Sequence, residues 1–260
     1  MQTTQDSAGY FKVDNIDIAA ALGLTSGISY LRKFGRATAL PTGVEVPVWS
    51  QNTVYPWQDA AQEMWIASTS ADDAVGGTGA QQASVVIQGD DGVETLITVS
   101  LDGTTKVSLG DVRDVYRIKA LDPGAGAAKT NVGDLYVGFG TFTAGEPATI
   151  MAHCEAGEGQ TLMAIYRIPA GKYGLLRAME IKGDQAAMQG WLRVQDEGGC
   201  WSNVVVDHMY QTLMSSKFVG GELFAPGTRI MLTALGAVGP DKIATGYFEM
   251  LLADESEFVT

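Results

Sequence analysis

The chain has 260 residues, 46% of them hydrophobic and 18% charged, with a formal net charge of −13. It is long and apolar enough for one large or two modest folded domains, which excludes a disordered chain. No run of Lys or Arg exceeds two residues, so the basic footprint of nucleic-acid binding is missing. No apolar stretch approaches the ~20 residues of a membrane span, and "MQTTQDSAGYF" lacks the basic-then-apolar order of a signal peptide. A soluble protein made in the cytoplasm, without membrane insertion, is expected, and the low charged fraction favours an oligomer.

In chain order, "NIDIAAALGLTSGISYLRKFGR" predicts one short helix over 16–22, then glycine-punctuated coil and an extended stretch. Residues 1–60 are expected to form an extended arm or linker. "VPVWSQNTVYPWQDAAQEMW" crowds Trp49, Tyr55, Trp57 and Trp65 together, rings that serve either as core or as contact surface. With Phe34 and Arg36, the residues Trp49, Tyr55 and Trp57 form the aromatic and arginine set expected at an interface; core packing is the competing role, above all for Trp49 and Trp57.

Glycine is the main punctuation, 32 residues against eight prolines, and Asp-Gly, Gly-Asp and Gly-Thr turns recur as in an all-β chain. In "ASVVIQGDDGVETLITVSLDGTTKVSL" short β-branched runs are broken by Asp91-Gly92 and Asp102-Gly103, which predicts successive hairpins. Strands are expected at 115–121 and 133–140. The break in "GFGTFTAGEPATI" then sets a boundary near residue 145, between a β-sandwich over 61–145 and a second over 146–260. Strands at 161–169, 172–183, 190–195, 201–208, 228–236 and 245–253 fill the second domain. The fold class expected is all-β, two jelly-roll-like sandwiches behind an N-terminal arm.

No stretch carries catalytic mechanics. The loop Gly76-Gly77-Thr78-Gly79-Ala80 lacks the Lys-Ser/Thr of a P-loop and leads into a strand instead of a helix, with Asp72 and Asp73 upstream to repel an anion. It is expected to be a β connection that holds no phosphate. The acidic turns at 72–73, 89–92 and 196–199 match no calcium loop, so no metal is expected. Of the two histidines, His208 follows Asp207 and His153 precedes Cys154; strand neighbours point to opposite faces, which makes poor dyads. No serine sits in a GxSxG turn. Cys154 and Cys200 have no zinc spacing and are expected to be free thiols. No enzyme activity and no cofactor are expected.

The order "LRKFGRATALPTGVEVPVWSQNTVYPW", "STSADDAVGGTGAQQASVVIQGDDG", "ITVSLDGTTKVSL", "DVYRIKAL", "TNVGDLYV", "YRIPAGKYGLL" resembles the tailed-bacteriophage virion structural proteins of cyanophages and other marine phages. The likeness spans most of residues 30–176, and it departs at Asp90-Asp91 and at Val112-Arg113-Asp114. It implies a non-enzymatic component of the virion, such as capsid decoration or a neck, tail or fibre appendage. Its implied partners are other copies of the chain, as a homotrimer, and capsid or tail proteins. The alternative is a carbohydrate-binding module of an adhesion device, with Tyr173, Trp191 and Trp201 stacking on a host glycan.

Overall fold

The computed structural model describes residues 4–5, 11–12, 16–123, 130–183, 188–209, 213–236 and 242–257. The elements are β1 (Thr4–Gln5), β2 (Phe11–Lys12), α1 (Ile16–Ala21), β3 (Ile28–Leu40), β4 (Glu45–Pro47), β5 (Gln62–Ser68), β6 (Ala80–Gln88) and β7 (Glu94–Ser100). They continue as β8 (Val107–Val112), β9 (Asp114–Pro123), β10 (Leu135–Thr143), β11 (Glu146–Cys154), β12 (Ile165–Arg167) and β13 (Lys172–Gly183). The last are β14 (Met188–Gln195), β15 (Ser202–Met209), β16 (Leu213–Phe224), β17 (Arg229–Gly236) and β18 (Lys242–Asp254). The protein is all-β, and its short helix falls where the sequence predicts one.

Two sheets, β11-β10-β5-β8 and β7-β6-β9, enclose one core that includes Met64, Ile66, Val85, Val115, Ile118, Leu135 and Met151. Two others, β12-β17-β14-β15 and β16-β13-β18-β3, enclose a second that includes Leu176, Met179, Leu192, Leu232, Phe248 and Met250. β4 joins the third sheet against β17. Every named strand pairing is antiparallel.

Three sequence expectations change. Most of the stretch read as an arm belongs to the body: β3 pairs with β18 from Ile28↔Ala253 to Leu40↔Lys242, and Ala37, Leu40, Val46 and Val48 enter the second core. The inward positions of β3 include Lys33, Gly35 and Ala37, so the apolar alternation that would announce a buried strand is missing. Gly35 is required there, because a Cβ would lie 2.1 Å from the Val48 carbonyl oxygen.

The break at 144–145 is a hairpin turn, with Thr143 paired to Glu146 and Ala144 and Gly145 at φ of 49° and 90°. β10 and β11 therefore lie in one sheet, and the chain still contributes Met163 and Ile165 to the first core beyond them. Asp102-Gly103 closes no hairpin: β7 pairs with β6 whereas β8 pairs with β5, so this turn carries the chain from one sheet to the other. β16 had no counterpart in the sequence reading.

Candidate functional site

The glycine loop is organised around a buried carboxylate. Asp73 Oδ1 accepts the Ala80 and Val132 backbone N–H groups at 2.8 and 2.9 Å, and Oδ2 accepts the Gly133 N–H at 2.8 Å and the Ser68 hydroxyl at 2.6 Å. A cluster of N–H donors is what binds an anion, and this one is filled by the protein's own side chain. A Cβ on Gly79 would stand 2.1 Å from Asp73 Oδ1, so the glycine makes room for the carboxylate.

His153 gains neighbours that the sequence does not bring together. Its Nδ1 lies 2.8 Å from the Gln51 amide nitrogen and 3.0 Å from Ser50 Oγ, and its Nε2 is 3.5 Å from Asp134 Oδ1. Burial holds the imidazole pKa below its usual value. The one lone pair of Nδ1 accepts from Gln51, leaving none free to deprotonate Ser50. The ring, stacked on Tyr136 at 4.5 Å, ties the turn after Trp49 to β11. Asp207 and His208 have side chains outside the described residues.

The richest constellation lies where the two cores meet. Trp49, Tyr55, Trp57 and Trp201 form a continuous aromatic row, with ring centroids 5.3, 4.8 and 6.1 Å apart in turn. Trp49 and Tyr55 are 1% and 2% exposed, which corrects their assignment to a contact surface: they are core, with the Tyr55 hydroxyl donating to the Val115 carbonyl. Trp57 and Trp201 are half-buried. Register makes Arg167 of β12 the partner of Arg229 at the start of β17, and their guanidinium carbons lie 5.6 and 5.5 Å from the Trp57 ring, within cation–π range.

The arginines are fixed by further partners. The Gln58 carbonyl accepts from Nη2 of Arg167 at 2.7 Å and of Arg229 at 3.3 Å, and Arg229 also pairs with Asp59 at 2.6 Å. Arg167 Nε lies 2.9 Å from Asp114 Oδ2, with Arg113 Nε at 3.8 Å. Burial pushes the Asp114 carboxyl up to about 6, against the opposing pull of Arg167, Arg113 and Arg229. A polar groove of about 370 Å³ runs past Arg113, Arg167 and Arg229 to the turn at Asp196–Gly199. The departure at Val112-Arg113-Asp114 thus supplies two of the charged groups at this junction.

The remaining candidates are dispersed. Phe34 and Arg36 project from β3, Arg36 pairing with Glu155 and Glu158 at 2.6 and 2.7 Å. Trp191 is 9% exposed and buried in β14, which corrects its assignment as a stacking platform, since a sugar face needs an open ring. Tyr173 is half-buried on β13. Cys154 is buried and Cys200 exposed, both as free thiols. Among the described residues no group of three or more His, Cys, Asp and Glu side chains is arranged to hold a metal ion, and no helix is long and apolar enough to cross a membrane.

No protein-family model and no curated protein matches the chain. Two of the solved structures loosely similar to it are of one virus. One is infectious bursal disease virus, Gx strain, at 9% identity and a TM-score of 0.21, covering 86% of this chain and 70% of that one. The other is the VP2 subviral particle of infectious bursal disease virus, at 11% identity and a TM-score of 0.22, covering 89% and 73%.

Proposed function

We propose that the chain is a non-enzymatic structural subunit of a virus particle, more narrowly a tailed-phage virion component that decorates the capsid or forms part of a neck, tail or fibre. The order of sequence motifs from residue 30 to 176 supports the phage assignment. The observation that carries a role in protein contacts is the half-buried Trp57–Trp201 pair beside Arg167 and Arg229, since tryptophan and arginine dominate the energetics of protein interfaces. Each pair of sheets acts as one β-sandwich, the subunit forms a homotrimer, and the residues before β3 dock it onto a neighbour. Ile16, Leu22 and Leu24 there are 43%, 63% and 62% exposed, apolar surface that a partner would cover.

The test is assembly. Deletion of residues 1–24 stops short of β3 and should leave a folded body that no longer joins particles; full incorporation would sink the docking role. Trp57→Ala and Trp201→Ala should weaken co-sedimentation with particles while retaining the circular-dichroism spectrum. Mass photometry of the full chain should give a trimer, and a monomer at micromolar concentration would refute that stoichiometry.

A second reading, a carbohydrate-binding module, is favoured by one feature, the half-exposed Trp201 close to the groove wall at Gln195–Gly199. Glycan-array binding lost in Trp201→Ala would support it over the first.

A further inference from the structure

On β3, Lys33 turns inward and is 8% exposed. Its amine donates to the Tyr116 backbone carbonyl and lies 5.7 Å from the Tyr116 ring centroid. Among the described residues no ion pair joins it to a carboxylate. A buried amine without a counter-ion is costly as an ammonium, and nothing in the strand's pairing calls for one, since methionine or leucine would fill the same place.

Lys33 lines a half-open cavity of about 140 Å³ between β3 and the strands of the first core, together with Phe34, Val86, Glu94, Tyr116, Thr161 and Tyr166. Glu94 accepts the Tyr166 hydroxyl at 2.7 Å, which puts a hydrogen-bonded carboxylate and phenol in the same small space as the amine. Arg32 and Arg117 also line it. Both are exposed; Arg32 is engaged by Glu249 at 3.5 Å and by the Tyr247 ring at 4.3 Å, whereas Arg117 is held by the neutral Gln160 at 2.6 Å. Burial draws the Lys33 amine down to about 7, with Glu94 opposing and Arg117 reinforcing the shift. The free base is therefore abundant at neutral pH, the condition that makes a desolvated lysine nucleophilic.

We propose that this cavity is a carbonyl-capture site, in which Lys33 forms an imine with a small aldehyde bearing an anionic group. The Nζ lone pair attacks the carbonyl carbon as the C=O π pair moves to oxygen, which takes up a proton. The nitrogen gives up a proton, the hydroxyl leaves as water with a proton returned to it as the C=N bond forms, and the iminium nitrogen releases its second proton. Amine and aldehyde yield imine and water with no oxidant or reductant. Glu94 and Tyr166 are the groups in the cavity suited to carrying the proton. Arg117 favours a carboxylate-bearing aldehyde over a neutral one, and the volume limits it to a few heavy atoms.

The experiment uses the full chain at pH 7.5 with glyoxylate and cyanoborohydride, which traps the imine as carboxymethyl-lysine, and formaldehyde in parallel as a neutral aldehyde. Peptide mass spectrometry reads the initial rate at each lysine. Lys33 should react at least about tenfold ahead of Lys106 and Lys119, because an ordinary exposed lysine is almost wholly protonated at this pH. Arg117→Gln should slow the glyoxylate reaction at Lys33 and leave the formaldehyde reaction unchanged. Labelling of Lys33 no faster than that of Lys106 and Lys119 overturns the site. Equal slowing with both aldehydes, or no slowing, overturns the anionic preference. The wild-type comparison does not depend on any variant folding.

Discussion

Arg167 Nε stands 2.9 Å from Asp114 Oδ2 with both residues inside the protein, and the pair joins β9 of the first core to β12, which pairs into the sheets of the second. Neither carboxylate oxygen of Asp114 has an aligned hydrogen bond among the described residues, so the pair is held by charge and by the surrounding arginines. Removing one member of a buried pair leaves the other charge uncompensated, a loss of about 3–5 kcal/mol. Arg167→Met should reduce unfolding free energy by that order in urea titration. The double variant Arg167→Met/Asp114→Leu should recover much of it, because the stranded carboxylate is gone.

The same pair sets a pH dependence of unusual sign. The Asp114 carboxyl is raised from 3.8 to about 6 in the folded protein by burial. Between those values the folded chain holds a proton that the unfolded chain has released, so this group's contribution to stability falls as pH rises through the window. Above about 6 the cost is fully present. Denaturation midpoints of wild type and Asp114→Asn, compared from pH 4 to 7, should diverge in the variant's favour as pH rises. Parallel curves would show that the carboxyl titrates normally.

Asp73 closes the glycine loop by accepting three backbone N–H groups and the Ser68 hydroxyl. Asp73→Ala strands those donors, at about 1–3 kcal/mol for each buried one, and should lower the melting temperature more than Asp72→Ala on the exposed neighbour. Proteolysis within 69–79 should rise in the same variant. Comparable melting temperatures for the two variants would contradict the central role of Asp73.

What the sequence made legible follows from where side chains alternate. β6 and β9 show through Val85, Ile87, Val115 and Ile118, whose branched side chains recur near the strand period between glycine turns. β3 stays hidden because its inward face carries Lys33, Gly35 and Ala37, residues that look like coil until Val48 and Ala164 are known to lie against them. The turn at Ala144-Gly145 reads equally well as a hairpin or a linker, since glycine serves the positive φ of a tight turn and the flexibility of a linker alike. At the candidate site Trp57 and Trp201 stand out by residue type alone. The arginine pair does not, because Arg167 and Arg229 become neighbours only through the β12–β17 register.

Gly35 tests whether β3 belongs to the body. An added Cβ meets backbone on both sides, 2.1 Å from the Val48 oxygen and 2.6 Å from the Ala164 nitrogen, and neither can swing away as a side-chain tip would. Gly35→Ala should cost at least the ~1–3 kcal/mol typical of overpacking, read as a lower urea midpoint. Gly43→Ala, at a turn with nothing within 4 Å but φ of +71°, should cost only the smaller strain of a left-handed residue, about 1–2 kcal/mol. An arm that merely lay along the surface would tolerate both equally.

Lys33 gives the opposite pH slope to Asp114. Its amine is drawn from 10.5 down to about 7 by burial, so between those values the unfolded chain binds a proton that the folded chain does not. Stability from this group therefore rises with pH across that window, and below about 7 the cost of a buried charge is present in full. Lys33→Met removes the titration and keeps the volume. The variant should be more stable than wild type at pH 7, and its advantage should shrink steadily towards pH 10 in guanidinium titrations. If the advantage were independent of pH, the gain would come from packing alone, and the amine would have to be placed in contact with solvent.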